Sequence, residues 1–196
     1  MIKNRLPQKG TLDKSQPRDL FRTPRYGTDI ILPYIPKHIT QIWECAAGEC
    51  YISEYLNELG YDVISTDIRG DELEGVDYHN FLTDEIPSEV DLSKCAILTN
   101  PPYSLKRKFF NKCVEHNMPF ALLLSSDYCQ WTIDAIRKDG CEKVVPYRRI
   151  NFITPTFKSE KTGSTAYFHT LWMTRYFNIG KTETFVELTK KQRENY

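Results

Sequence analysis

The sequence predicts an α/β fold in which a mostly parallel sheet carries helices on both faces. Two observations lie early in the chain: residues 39–44 resemble a strand and lead through a glycine-containing turn into an amphipathic helix, and a second strand, residues 61–66, follows that helix. A third lies later, where the apolar residues 95–99 predict a buried strand. Strands that alternate with helices are typical of βαβ units, which build parallel sheets.

The first strand and the helix after it form the first such unit. Residues 39–44 have the β-branched and aromatic content of a strand. The helix places apolar side chains at i, i+3, i+4 and i+7, namely Ile52, Tyr55, Leu56 and Leu59. Gly60 lies where a C-terminal cap is expected, and the second strand runs directly into Asp67.

The turn and the second strand predict a nucleotide site. Gly48 precedes Asp67 by 19 residues, close to the roughly 20 that separate the glycine turn from the ribose-binding acid in nucleotide-binding βαβ units. Small residues let the backbone approach a ligand, and Asp67 can accept hydrogen bonds from two ribose hydroxyls. Glu44 can meet an ammonium group, and no P-loop lysine follows it. A positively charged amino-acid nucleoside such as S-adenosylmethionine therefore fits better than a triphosphate.

The strand at residues 95–99 ends in the tetrapeptide Asn100-Pro101-Pro102-Tyr103. Open α/β sheets carry their chemistry at the carboxyl ends of strands. Two consecutive prolines cannot continue a sheet ladder, so they fix an extended turn. A planar amine there would meet the side-chain carbonyl of Asn100 and the backbone carbonyl of Pro101 with its two hydrogens, while Tyr103 covers the ring that carries the amine.

The elements after this turn continue the alternation. Ser104 is predicted to cap a helix with two apolar rows, formed by Leu105, Phe109, Cys113, Phe110 and Val114. The cations of that helix are expected to face outward: Lys106, Arg107, Lys108 and Lys112. Further predicted elements are a buried strand at 118–124, a helix at 131–138 ended by Gly140, a strand at 143–147 and an antiparallel strand at 167–173.

Length and charge suggest one compact domain with polar ends. A chain of 196 residues can bury a core without disulfides or metals. Residues 1–20 are expected to form a flexible basic arm, residues 21–178 the domain and residues 179–196 a polar tail. The first 25 residues carry seven basic side chains against two acidic ones, although the formal net charge of the chain is zero. Such an arm can follow a phosphate backbone, and a solvated tail is the open alternative.

Other compositional features restrict the class of protein. No apolar run approaches the ~20 residues that span a membrane, and the polar start is unlike a signal peptide, so a cytosolic protein without membrane contact is expected. The six cysteines lack CxxC spacing. Reduced core thiols and no zinc or other metal site are therefore predicted.

Together, these motifs resemble the adenine-N6 DNA methyltransferases of bacteria and their phages, especially small phage-type enzymes without a large recognition domain. Residues 43–49 resemble the first cofactor motif of that family, residues 65–68 the second and residues 80–82 the third, which contacts adenine. Residues 100–103 match the catalytic motif at every position, and residues 22–24 resemble a motif ahead of the first strand, with Thr23 as helix N-cap and Pro24 at the first helical position.

The resemblance implies a Rossmann-like methyltransferase fold with a seven-stranded sheet and an antiparallel late strand. It implies catalysis by Asn100, Pro101, Pro102 and Tyr103. It also implies that the neighbourhood of the polar loop 154–164 holds the flipped base and the DNA, with Arg149 and Phe152 as candidates. It implies that S-adenosylmethionine is held by Thr23, Pro24, Glu44, Cys45, Ala46, Gly48, Asp67, Ile68, Asn80 and Phe81. The family usually has a second glycine where Glu49 or Cys50 stands, and more often Asp at position 80.

The expected reaction is direct in-line methyl transfer to adenine in DNA, with the target base flipped out or already single-stranded. The expected setting is the cytoplasm of a bacterium or of a phage-infected host. Three alternatives remain open on the sequence: the acceptor is adenine in RNA, the acceptor is a glutamine amide in protein, or the protein binds nucleic acid or a partner without turnover.

Overall fold

The structure is a computed structural model that describes residues 21–153, 164–165 and 168–188. The predicted basic arm at residues 1–20 lies outside this part of the chain, as do residues 154–163 of the polar loop. In the described part the helices are α1 (Arg25–Asp29), α2 (Tyr51–Glu58), α3 (Lys106–His116) and α4 (Gln130–Asp139). The strands are β1 (Gln41–Glu44), β2 (Asp62–Asp67), β3 (Asp77–Tyr78), β4 (Cys95–Thr99), β5 (Phe120–Ser125), β6 (Glu142–Pro146), β7 (Asn151–Phe152), β8 (Ser164–Thr165), β9 (Thr170–Arg175) and β10 (Glu183–Val186).

Eight of these strands form one sheet, in the order β3-β2-β1-β4-β5-β9-β6-β10. Neighbouring strands are parallel, apart from β9, which is antiparallel to both β5 and β6. The predicted α/β class and the antiparallel late strand are thereby confirmed. The sheet has eight strands where seven were expected, because β10, within the segment expected to be a polar tail, pairs with β6.

Two apolar layers lie on opposite faces of the sheet, because neighbouring residues of a strand point to opposite sides. Ile42 packs in one layer with Leu56 of α2, while Trp43 packs in the other with Phe109 of α3. The central strands β1, β4 and β5 are almost wholly buried, as expected for a parallel sheet covered on both faces. The helices therefore hold the carboxyl ends of these strands in fixed positions.

The helix ends agree with the sequence in two places. Gly60 has φ +92° and follows α2, where its amide donates to the carbonyl of Asn57 and the next amide donates to that of Leu56. Both bonds satisfy carbonyls that the last turn of a helix leaves without partners. Gly140, with φ +67°, caps α4 in the predicted position.

Two predicted helix starts are wrong. Helix α1 begins at Arg25 with Pro24 as its N-cap, so Pro24 is not the first helical residue and Thr23 does not cap the helix. The Thr23 hydroxyl instead accepts a hydrogen bond from Asn100. Helix α3 begins at Lys106, after a 3₁₀ turn at Tyr103–Leu105, so Ser104 is not its N-cap.

None of the helices in the described ranges is long and apolar enough to cross a lipid bilayer.

Candidate active site

The carboxyl ends of β1, β2 and β4 meet at one edge of the sheet and bring Glu44, Asp67 and Asn100 around a cavity. Strand β1 lies between the other two. After β1 the chain forms β2 on one side of it and later forms β4 on the other side. In open α/β sheets such a switch of direction creates a crevice in which ligands bind. The arrangement of strands thus explains why residues 56 positions apart, such as Glu44 and Asn100, border the same cavity.

Most of the predicted site residues border this cavity. From the predicted set, the cavity wall includes Thr23, Glu44, Cys45, Ala46, Gly48, Asp67, Ile68, Asn80, Phe81, Asn100 and Pro102. Pro24, Pro101 and Tyr103 do not belong to it. The wall also contains Arg22, from the motif at residues 22–24, and residues outside the motifs, including Phe21, Tyr51, Arg69 and His79.

The glycine turn is held by the carboxylate at the end of β2. Gly48 has φ +54°, a conformation that side chains rarely adopt, and its amide donates to Asp67 Oδ2 at 3.0 Å. Asp67 Oδ1 accepts from the backbone amide of Arg69 at 2.9 Å and from its Nε at 3.3 Å. A carboxylate offers about four acceptor positions, so Asp67 can accept one further bond without losing these three.

Glu44 is buried, with 2% of its surface exposed. The Ser53 hydroxyl donates to its carboxyl group, and Ser65 Oγ donates to Ser53 Oγ at 2.8 Å. Burial removes water from the carboxylate and raises its pKa to about 8, which the bond from Ser53 only partly offsets. At neutral pH the side chain is therefore mostly a neutral acid, and an approaching ammonium group would favour its ionised form.

The third predicted motif forms a tight turn beside the cavity. Asn80 Oδ1 accepts a hydrogen bond from the backbone amide of Leu82 at 3.2 Å, while the backbone amide of Asn80 donates to Asp84 Oδ2 at 2.8 Å. Phe81 is buried, with its ring 5.0 Å from that of Phe109 in a stacked arrangement and 5.3 Å from that of Trp43. These contacts fix an apolar wall on one side of the cavity.

Asn100 is oriented by the segment that precedes α1. Its Nδ2 donates to the carbonyl of Phe21 at 3.2 Å and to Thr23 Oγ1 at 3.1 Å. Because a carbonyl oxygen only accepts, these bonds define which end of the amide is nitrogen. The other end, Oδ1, is buried and has no hydrogen-bond partner within the described ranges. A buried acceptor without a donor costs about 1–3 kcal/mol, so the turn is prepared to receive an N–H group.

Tyr103 lies in a cluster of aromatic rings next to Asn100. Its ring centroid is 5.6 Å from that of Phe21, 5.1 Å from that of Phe168 and 6.4 Å from that of Phe152. Phe152, a predicted substrate contact, is completely buried in this cluster, whereas Arg149 is exposed on the surface. The ring proposed to cover a base is therefore packed against Phe21, which the motifs did not indicate.

The start of α3, which follows the predicted catalytic turn, is tied to the end of β5. Lys106 Nζ donates to Ser125 Oγ at 2.6 Å and forms an ion pair with Asp127. This side chain is 22% exposed, so Lys106 is not one of the outward cations that were predicted. Lys112 pairs with Glu115 at 2.8 Å and is only 15% exposed, so the outward prediction is wrong for it as well. Arg107 and Lys108 are exposed as expected.

An ion pair lies at the rim of the cavity. Arg22 NH2 is 2.6 Å from a carboxylate oxygen of Glu49, and the guanidinium carbon lies 5.6 Å from the centre of the Tyr51 ring. Both charged side chains are partly exposed and border the cavity. The pair joins the segment before α1 to the glycine turn.

The thiols at the site are unreactive. Cys45 is fully buried, and burial raises the pKa of its thiol well above the usual value. Cys50 has φ +60°, and its partial burial raises the pKa of its thiol to about 11. In the described ranges no group of three or more His, Cys, Asp or Glu side chains is arranged to hold a metal ion.

The strand order, with antiparallel β9 between β5 and β6, defines the class of fold: it is the Rossmann-like methyltransferase fold. Among solved structures, the chain is similar to PH1948 of Pyrococcus horikoshii, described as a candidate RNA methyltransferase, with TM-score 0.51 and 16% identity over 81% of this chain and 86% of that one. It is also similar to the 23S rRNA methyltransferase ErmE, with TM-score 0.52 and 14% identity over 80% of this chain and 69% of the other. No protein-family model and no curated protein matches the sequence.

Proposed function

We propose that this protein is an S-adenosylmethionine-dependent methyltransferase that modifies the exocyclic N6 amine of adenine in DNA. One observation carries the proposal: Asn100 holds a buried carbonyl oxygen without a partner in the described ranges, beside a cavity at the switch point of a methyltransferase fold. The acceptor of Asn100 and the backbone carbonyl of Pro101 are suited to the two hydrogens of a planar amine.

The residues around the cavity fit the proposed cofactor. Glu44 offers a carboxyl group for the ammonium of the amino-acid part, and Asp67 has one acceptor position left for a ribose hydroxyl. Phe81 and Ile68 supply apolar contacts for a purine. The bound cofactor supplies a methyl carbon activated by a positively charged sulfur atom.

The chain's own residues would act on the acceptor nitrogen. The lone pair of the adenine amine is delocalised into the ring, which makes the amine a poor nucleophile. Hydrogen bonds from both N–H groups to Asn100 and Pro101 favour a pyramidal nitrogen and localise that lone pair. The nitrogen held by Asn100 and Pro101 would then be placed to accept the methyl group of a bound cofactor, whose sulfur would keep the electron pair of the broken bond. The extra proton on nitrogen would leave to water. Alignment of the two reactants can contribute roughly 7–11 kcal/mol to such a step.

Access to this turn requires a rearrangement of the aromatic cluster. Asn100 Oδ1 is shielded from water, and Phe21 packs against the Tyr103 ring. A base inside a duplex cannot reach the turn, so the target must be flipped out or unpaired. We expect the base to replace Phe21 as the neighbour of Tyr103, since stacking on an aromatic side chain contributes roughly 1–3 kcal/mol per base.

The test is methyl transfer from labelled cofactor to unmethylated DNA, followed by separation of the nucleosides. Label should appear in N6-methyladenine, and absence of transfer to adenine in any duplex or single-stranded DNA would count against the proposal. Asn100→Ala should abolish transfer while cofactor affinity stays near normal. Asn57→Ala, at an exposed position of α2, is the matched control. Asp67→Ala should weaken cofactor binding first, and an unchanged affinity by calorimetry would contradict its role.

A second candidate acceptor is adenine in RNA. The observation that favours it is the similarity of fold to ErmE, a 23S rRNA methyltransferase, and to PH1948, described as a candidate RNA methyltransferase. Equal amounts of DNA and RNA of the same sequence, mixed with enzyme and labelled cofactor, decide between the two. Preferential labelling of RNA would replace DNA as the acceptor and leave the rest of the proposal intact.

A further inference from the structure

Two aromatic side chains stack against each other on the protein surface. The rings of Tyr147 and Phe185 have centroids 5.8 Å apart and planes 24° from parallel. Tyr147 is 64% exposed and Phe185 is 54% exposed. Large apolar side chains grouped together on a surface are characteristic of interaction sites.

The backbone holds this pair in a fixed arrangement. Strand β10 runs parallel to β6, with Phe185 opposite Val145, and the Tyr147 amide donates to the carbonyl of Val186 at 2.9 Å. Tyr147 is therefore the diagonal neighbour of Phe185 on the same face of the sheet, within reach of an aromatic side chain. Because the two rings are already held in place by paired backbone segments, they lose little further conformational freedom when a ligand's ring stacks on them.

The pair lies at the same edge of the sheet as the candidate active site. The carboxyl ends of β6 and β10 point in the same direction as that of β4, because β9 is antiparallel to both of its neighbours. Strand β6 is three places from β4, which corresponds to about 14 Å at the usual spacing of strands. The chain also runs from Tyr147 to Phe152, whose ring is 6.4 Å from that of Tyr103.

The charges beside the pair suit a polyanion. Arg148 and Arg149 follow Tyr147 directly and are exposed, with the carboxylate of Glu187 nearby. Two guanidinium groups next to exposed rings favour a strand with both bases and phosphates over a purely apolar protein surface. Arginine also suits phosphate recognition better than lysine, because its planar group donates two parallel hydrogen bonds.

We propose that Tyr147 and Phe185, with Arg148 beside them, form a stacking platform for unpaired nucleotides that flank the target adenine. This inference rests on the proposed function, since it assigns to the same enzyme the strand that leads into its active site. A base stacks on the exposed ring pair, and Arg148 contacts the phosphate next to it. The platform binds any base, because every base has a flat face.

The test measures binding of the full-length protein to a fluorescent single-stranded DNA oligonucleotide that contains one adenine. Tyr147→Ala and Phe185→Ala should each weaken binding about tenfold, as expected for loss of one stacking contact. Tyr147→Leu keeps an apolar side chain without a flat ring and should weaken binding similarly, whereas Phe185→Tyr should bind normally. Tyr78→Ala is the control, because it removes an exposed ring from β3, the outermost strand on the opposite side of the sheet from β10.

The outcomes separate this inference from the proposed function. Suppose that the wild-type protein transfers methyl groups. Normal oligonucleotide affinity in both alanine variants, or in a folded Tyr147→Leu variant, would then overturn the platform and leave the proposed function intact. Reduced affinity in these variants with no methyl transfer by the wild-type protein would support the platform and overturn the enzyme. If the platform and the enzymatic activity are both supported, KM for the oligonucleotide should rise in the variants, while kcat at saturation and cofactor affinity stay unchanged. Thermal melts confirm that each variant is folded.

Discussion

Thr23 Oγ1 accepts a hydrogen bond from Asn100 Nδ2 at 3.1 Å, across 77 residues of chain. The bond connects the segment before α1 to the end of β4, and together with the Phe21 carbonyl it fixes the orientation of the Asn100 amide. The residue expected to cap a helix thus holds the candidate catalytic group. A side chain that acts through Asn100 in this way is a positioning residue.

Replacing Thr23 with Val should lower kcat about tenfold. Val has nearly the same shape but cannot accept the hydrogen bond, and a net loss of about 0.5–1.5 kcal/mol per bond leaves the Asn100 amide less well oriented. Thr23→Ser keeps the hydroxyl and should retain activity. Single-turnover transfer rates check the expectation, and equal rates for the Val and Ser variants would contradict it.

Glu44 should make the protein less stable as pH rises from about 5 to 8. Its pKa is raised from an ordinary 4.5 to about 8 by burial, so within this window the folded state keeps a proton that the unfolded state has released. Under linkage, stability then falls with increasing pH and the loss is complete above the folded pKa. Glu44→Gln, a neutral side chain of the same shape, should melt with a weaker pH dependence in this window.

Thermal melts of both proteins between pH 5 and 8.5 measure this difference. A wild-type melting temperature that falls no faster with pH than that of Glu44→Gln would show that the buried carboxyl group does not titrate as described. Bound cofactor should reduce the wild-type slope, because its ammonium group favours the ionised form of Glu44.

Lys106→Met should lower kcat while changing the affinity for nucleic acid little. Lys106 joins the start of α3, just after the candidate catalytic turn, to the end of β5 through Ser125 and Asp127. Its loss should therefore loosen the turn and reduce the free energy of unfolding by about 1 kcal/mol. Lys108→Met, which removes an exposed cation from the same helix, is the control. The Lys108→Met control should show normal kcat. Equal effects on kcat in both variants would contradict the idea that Lys106 holds the turn in place.

The central strands of the main sheet were predictable because their signals are local. Strands β4 and β5 are continuous apolar runs buried on both faces, and the spacing of Gly48 and Asp67 follows from one βαβ unit. Strand β10 was not predictable, since its four residues mix polar and apolar side chains and gain their place by pairing with β6.

The contacts around the candidate catalytic turn depend on tertiary structure instead. No local pattern indicates that Phe21 packs on Tyr103 or that Lys106 pairs with Asp127. The predicted start of α1 was wrong for the same reason, because the hydroxyl of Thr23 has a distant partner that the sequence does not reveal. Motifs therefore predicted which atoms suit the proposed chemistry, and the fold shows what holds those atoms.

Arg22→Met should increase the dissociation rate of the cofactor severalfold with a small effect on stability. The pair that Arg22 forms with Glu49 lies at the cavity rim and joins two segments that border the cavity. A ligand leaving past these segments must separate them, although an exposed pair contributes only about 0–1 kcal/mol to folding. Glu49→Gln should have a similar effect, and the double variant should be no faster than either single one, because both remove the same contact.

A second ion pair of the same type provides the control for this prediction. Arg25 pairs with Glu58, and its guanidinium carbon lies 5.0 Å from the centre of the Tyr55 ring, but none of the three borders the cavity. Arg25→Met therefore removes an equivalent exposed pair and should leave cofactor dissociation unchanged. Stopped-flow displacement of a fluorescent cofactor analogue measures both rates at low and high salt. Faster dissociation in both variants would indicate general loosening of the chain. Faster dissociation in Arg22→Met alone would assign the effect to the ion pair at the rim. The difference from wild type should then shrink at high salt, where screening already weakens the pair.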